Sequence, residues 1–296
     1  MQQQNVIAFA TKLNKSFADK QALTDFELAI NAGQVLAILG ANGTGKTTLI
    51  NILLGRLQAD SGDVSIFSAK AGSLEAKRLT GAMLQVANLP ETLKIKEHIR
   101  LFQSYYINPM PYDKVISYAG LESMQDRYSK KLSGGEKQRL LFALSICGNP
   151  RLLFLDEPSV GMDMGSRHKM WQAIRDLKSA GTAIVLTTHY LQEADSLADE
   201  ILLLKDGKVV KRGSNDQIKA SVEHTTIRFC AEQAASAFAT YDSVVSSDKN
   251  GKYIDIQSLN ASLTLKALLI DYPQLEDLTV SRAGLEEVYK QLNQSA

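Results

Sequence analysis

Gly40-Ala41-Asn42-Gly43-Thr44-Gly45-Lys46-Thr47 combines loop glycines with a lysine and a hydroxyl at a spacing that suits phosphate chemistry. Successive backbone N–H groups of such a loop wrap phosphate oxygens, and the helix that follows presents its electropositive N-terminus to the anion. Glycine is needed where the backbone comes that close. Lys46 is placed to neutralise β- and γ-phosphate charge, and the Thr47 hydroxyl to coordinate a magnesium ion bridging those groups, with Thr48 beside it in the nucleotide-binding set. Further along, the apolar run Leu152-Leu153-Phe154-Leu155 ends on Asp156-Glu157. A buried parallel strand would deliver Asp156 to its C-terminal tip to hold magnesium through water, and Glu157 to orient or deprotonate an attacking water. Between these lies Leu132-Ser133-Gly134-Gly135-Glu136, where Ser133 and the N–H groups of Gly134 and Gly135 at a helix start form a second anion cradle. Taken alone, the last two strings also read as a strand-to-turn boundary and an ordinary helix N-cap. Their company with the glycine loop favours triphosphate chemistry.

These residues need a sheet to position them. Residues 34–39 form an apolar strand entering the glycine loop, and 47–54 have helical composition leaving it. From Val6 to Ile30 an alternating pattern with short polar turns predicts antiparallel strands. After 81–85 the period becomes helical, punctuated by Pro90, Pro109 and Pro111, so that about residues 86–150 read as a helical insertion. Strand signals return at 152–155 and 183–187 around a helical stretch at 165–179, the rhythm of a parallel sheet. Beyond Gly213 the pattern predicts a strand at 226–230, a helix at 232–240, two strands flanking a turn at 247–251, a helix at 262–270, a strand at 278–280 and a helix at 285–292. That order resembles a βαββαβ module. The expectation is an α/β protein: a P-loop NTPase core with an antiparallel β subdomain and a helical insertion over residues 1–219, then a small α+β accessory domain over 220–296.

Composition narrows the partners. Thirty-three basic residues against thirty-two acidic ones leave a formal charge of +1, too little for a general field that recruits nucleic acid or anionic lipid. The start lacks a charged segment followed by a long apolar stretch, and no window approaches the eighteen or so apolar residues of a membrane span. Cys147 and Cys230 lie far apart without metal-ligand spacing, which fits a reducing, cytoplasmic setting.

With the glycine loop and Asp156-Glu157-Pro158, the string 132–139 resembles the signature of ABC-type ATPases. The resemblance runs from about Val6 to Gly213 and implies an ATP sandwich, in which Ser133 of one copy closes on the nucleotide held by Lys46 of another. It also implies roles for single residues that are weak by themselves. Gln85 looks like the glutamine that touches magnesium and hinges the two lobes, although a glutamine there is often solvated surface. His189 looks like the histidine that senses the γ-phosphate, although a lone histidine is often structural. Phe17 looks like the aromatic that stacks on adenine, although it also fits a core position. Val160-Gly161-Met162-Asp163 resembles the loop that crosses the dimer interface, with Met164 departing from a frequent proline, and Lys94 replaces a usual N-capping threonine. His98 has no special claim and reads as helix decoration. Residues 188–195 are similar to the branch that powers exporters of drugs, lipids and polysaccharides, and Leu285-Glu286-Glu287-Val288-Tyr289 looks like that branch's terminal helix. The implied assembly is a homodimer bound to separate integral membrane permease subunits, peripheral on the inner face of the cell membrane, with ATP and Mg2+ as cofactors. The alternative is a soluble ATPase of the same type acting on nucleic acid or the translation machinery, against which the near-zero charge and the lack of coiled-coil or zinc modules argue.

Overall fold

The computed structural model describes residues 6–18, 20–85, 89–221, 224–282 and 284–294, and the chain divides into two units between Ser214 and Asn215. In the first unit, strands β1 (Val6–Phe17) and β2 (Lys20–Asn31) form an antiparallel pair, β3 (Val35–Leu39) leads into α1 (Lys46–Leu53), and β4 (Ser61–Ile66) and β5 (Ala69–Lys70) follow. Then come α2 (Leu74–Leu79), β6 (Thr80–Met83), and the inserted helices α3 (Ile95–Gln103), α4 (Tyr112–Tyr118) and α5 (Gly134–Ile146). The chain re-enters the sheet through β7 (Leu152–Asp156), α6 (Met164–Ser179), β8 (Ala183–Thr188), α7 (Leu191–Leu197), β9 (Glu200–Lys205) and β10 (Lys208–Gly213).

Two sheets result. One is antiparallel with strand order β2-β1-β4-β5; the other runs β10-β9-β3-β8-β7-β6 and is parallel except at its β10 edge. The central strands are apolar on both faces because both are covered. Leu152, Phe154, Ala183 and Val185 point into a core shared with α1 and the antiparallel sheet, while Leu153, Leu155, Ile184 and Leu186 point into a core shared with α5 and α6. Each fully buried aliphatic or aromatic side chain there contributes about 1.5–3 kcal/mol. The tips of β3, β7 and β8 are thereby fixed from two sides, and the chemistry-bearing residues sit on those tips.

Lys94 cannot cap α3 as a threonine would, but Glu97 accepts from the Lys94 N–H at 2.8 Å and supplies half of a capping box. His98 does not decorate the surface of that helix. It is fully buried, its Nε2 lies 3.1 Å from the carbonyl of Pro90, and the Ser129 hydroxyl donates to the same carbonyl at 2.7 Å. A polar residue on an otherwise amphipathic helix was covered because the chain beyond Leu89 folds across it.

The second unit begins earlier than the expected 219/220 boundary, because α8 (Asn215–Ala220) packs with α10 (Leu285–Gln294) through buried Ile218, Leu285 and Val288. Between them β11 (Thr225–Cys230), β12 (Val244–Asn250), β13 (Tyr253–Ser258), α9 (Ala261–Asp271) and β14 (Glu276–Arg282) form an antiparallel sheet of order β12-β13-β11-β14. The helix expected over 232–240 is one 3-10 turn, Ala235–Phe238, that docks Phe238 edge-on against Phe229. β12 extends through most of the expected turn, leaving Gly251 and Lys252 to close the hairpin.

Candidate nucleotide site

Phe17 at the end of β1, Lys20 and Ala22 on β2, the glycine loop with Lys46, Thr47 and Thr48, Gln85 beyond β6, and Asp156 with Glu157 at the tip of β7 surround one cavity of about 420 Å³. The loop owes its shape to glycine at Gly45, whose φ of 107° lies in the left-handed region. A Cβ there would strike the Ala22 carbonyl oxygen. The Thr44 hydroxyl ties the loop by donating to the Ala41 carbonyl at 2.9 Å. Gly40 is buried, whereas Ala41, Asn42 and Gly43 are exposed on the loop. Lys46 Nζ donates to the carbonyls of Gly40 and Ala41 at 2.7 and 3.0 Å. Burial lowers the Lys46 pKa, opposed by the charges of Glu157 and Asp156.

Asp156 is held from two directions. Its register partner on β8, Thr187, donates to Oδ1 at 2.5 Å, and Thr47 donates to Oδ2 at 3.3 Å. A hydroxyl and a carboxylate converging at the start of α1 form a set of hard oxygen donors, the chemistry magnesium prefers. Glu157 turns off the strand with φ 53° and its N–H donates to the Thr187 carbonyl at 3.0 Å. Its side chain is largely buried, and Oε2 accepts from His189 Nδ1 at 2.5 Å. The His189 ring lies 4.2 Å from that of Tyr190, over which the Arg167 guanidinium sits at 4.6 Å.

Phe17 is half-exposed rather than core, with the Lys15 ammonium 5.4 Å above its ring, so one aromatic face is available at the cavity mouth. Gln85 is exposed at the same cavity, and residues 86–88 lie outside the described residues. Ser133, Gly134 and Gly135 do not line the cavity. Ser133 is the exposed N-cap of α5, accepting from the Glu136 N–H at 3.3 Å while Glu136 accepts from the Ser133 N–H at 2.8 Å. A Cβ on Gly134 would meet nothing within 4 Å, and one on Gly135 would come within 3.0 Å of the Gly161 carbonyl oxygen. The cap therefore opens outward beside the 160–163 loop, where Asp163 caps α6 through the Ser166 N–H at 2.9 Å.

Sequence reading passed over Lys20 and Thr187, which stand beside residues it chose. Lys20 carries the signal of a basic residue three positions after Phe17, and Thr187 that of a hydroxyl two before His189.

Residues 23–160 match the ABC transporter family. The Nod factor export ATP-binding protein I of Rhizobium sp. (strain N33) is 33% identical over 209 residues, covering 68% of this chain and 69% of the relative. A daunorubicin resistance ATP-binding protein of Streptomyces coeruleorubidus is 31% identical over 296 residues, 94% of this chain and 93% of the relative, and so includes the second unit. Among solved structures, a dimeric ATP-binding cassette in a post-hydrolysis state bound to ADP and Pi aligns with a TM-score of 0.63 at 25% identity, over 70% of this chain and 98% of that one. An ATP-binding subunit of an ABC transporter shares the fold with a TM-score of 0.66 at 24% identity, over 73% and 92%. The chain belongs to the ABC transporter family as an ATP-binding subunit, and it is an ATPase.

Proposed function

We propose that two copies of this chain sandwich ATP and drive export through separate membrane permease subunits, with the first unit doing the nucleotide work and the second an accessory. The observation that carries the reading is the separation of two anion-binding surfaces. Lys46, Thr47, Asp156 and Glu157 converge on one cavity, while Ser133 and Gly134 face outward on the rim of α5. A second copy presenting its Ser133 would complete each site. Export, rather than another use of ATP, follows the Nod factor export and daunorubicin resistance relatives. Among the described residues no helix is long and apolar enough to cross a membrane, so a membrane role requires partner subunits, which would hold the chain at the inner face of the cell membrane. A cleft of about 410 Å³ lined by Leu53, Leu54, Ile66, Ala76, Leu84 and Tyr106, between the sheet and the helical insertion, suits a cytoplasmic permease helix.

In this reading Phe17 stacks on adenine, the 40–45 loop and Lys46 bind the phosphates, and Thr47, Asp156 and Gln85 would hold magnesium, which would offset phosphate charge. Glu157 takes the proton of the attacking water. His189, bonded to Glu157 through Nδ1, keeps the carboxylate oriented and turns its other ring edge toward the γ-phosphate. Glu157→Gln should bind ATP, accumulate dimer in light scattering and hydrolyse at least roughly a hundredfold more slowly, the usual span of a general base. Turnover at the parent rate in that variant would remove Glu157 from the mechanism, and specific activity independent of dilution across the monomer–dimer range would remove the sandwich.

A further inference from the structure

Glu193, on α7, is fully buried, an unusual place for a carboxyl group. Its Oε1 accepts from the indole N–H of Trp171 on α6 at 3.0 Å. Burial raises its pKa, the charge of Glu157 adds to the rise, and nearby hydroxyls of Thr188 and Ser159 together with Trp171 work against it. Its second oxygen, Oε2, has no partner, and neither has the hydroxyl of Ser159, which is also fully buried. These two orphaned polar groups share one buried pocket. The three neighbours of this acid belong to segments the hydrolytic site uses: Thr188 precedes His189 and its Oγ accepts from the Tyr190 N–H at 3.0 Å, Ser159 follows Glu157 toward the 160–163 loop, and Trp171 anchors the helix that loop enters.

Resting on the reading of Glu157 and His189 given above, we propose that Glu193 is a positioning residue that couples the His189 turn to the partner-facing loop. When the 160–163 loop shifts on closure over ATP, the Ser159 hydroxyl donates to Glu193 Oε2 and joins the orphaned pair. The hydrolytic pair and the loop that meets the second copy are then fastened to one carboxyl group.

The test compares Glu193→Ala, Glu193→Gln and Ser159→Ala for kcat, KM for ATP and tryptophan emission, Trp171 being the single tryptophan of the chain. Glu193→Ala should lower kcat roughly tenfold with KM held within about twofold. Glu193→Gln, whose amide both accepts from Trp171 and donates to Ser159, should recover most of kcat and keep the parent emission. In a Glu157→Gln background, ATP should shift Trp171 emission, and Ser159→Ala should abolish that shift. If Glu193→Ala fails to fold, the glutamine and Ser159 variants decide the matter. The proposal is overturned if Glu193→Gln is as slow as Glu193→Ala, if KM rather than kcat carries the loss, or if Ser159→Ala leaves the emission change intact. Failure of the underlying reading would appear separately, as full-rate hydrolysis by Glu157→Gln with Glu193 untouched.

Discussion

Thr187→Val isolates what one buried hydroxyl does for Asp156, the carboxylate proposed to hold magnesium. Valine has nearly the volume of threonine and an equal taste for strands, so β8 should keep its register and its packing. What disappears is the donor 2.5 Å from Asp156 Oδ1, at a residue pair of which Thr187 is fully buried and Asp156 exposed by only 2%. A hydrogen bond to a charged group contributes about 1.5–3 kcal/mol, and the loss falls on an acceptor with little water to replace the donor. For a unit of this size that corresponds to a fall in Tm of roughly 3–12 °C. Urea titration should show a lower midpoint with an unchanged slope, since no surface is newly exposed. The apparent magnesium requirement for hydrolysis should also rise, because only the longer Thr47 contact then orients the carboxylate. A stability change below about 0.5 kcal/mol, the range of an ordinary surface substitution, would show that the hydroxyl does not hold Asp156.

Gly45→Ala combines a left-handed φ with a Cβ driven into the Ala22 carbonyl, so nucleotide binding measured by calorimetry should be lost along with some stability. Burial lowers the His98 pKa, countered by the Pro90 carbonyl and Glu97. The unfolded chain therefore binds the proton more readily, and the stability tied to a neutral His98 is complete above about pH 6.5 and is lost as the pH falls below it. The urea midpoint should drop on acidification through that range, and His98→Phe should flatten the drop.

The glycine loop, the strand delivering Asp156 and the outward N-cap at Ser133 were legible because each is local: a spacing of glycines, an apolar run, a serine before glycines. The two sheets were legible because their strands alternate or saturate with apolar residues. The environments of Thr187, His98 and Glu193 were not, since burying a polar side chain depends on distant segments that happen to cross it. Nothing in Ile95–Gln103 announces that Pro90 will cover His98. The pattern over 232–240 predicts a helix, yet Phe238 docks against Phe229 from a single 3-10 turn.

The capping role of Ser133 has a consequence for every substitution made there. An alcohol oxygen that receives the Glu136 N–H still has its own hydrogen to give, so one side chain can terminate its helix and reach a neighbouring copy's triphosphate without trading one duty for the other. Alanine at 133 would remove the cap together with the proposed contact to the neighbouring nucleotide and confound the readout. Asparagine keeps an acceptor for the helix and a donor for the anion, whereas aspartate preserves the helix end and sets a negative charge against the triphosphate. The pair separates a weakened helix from a repelled ligand.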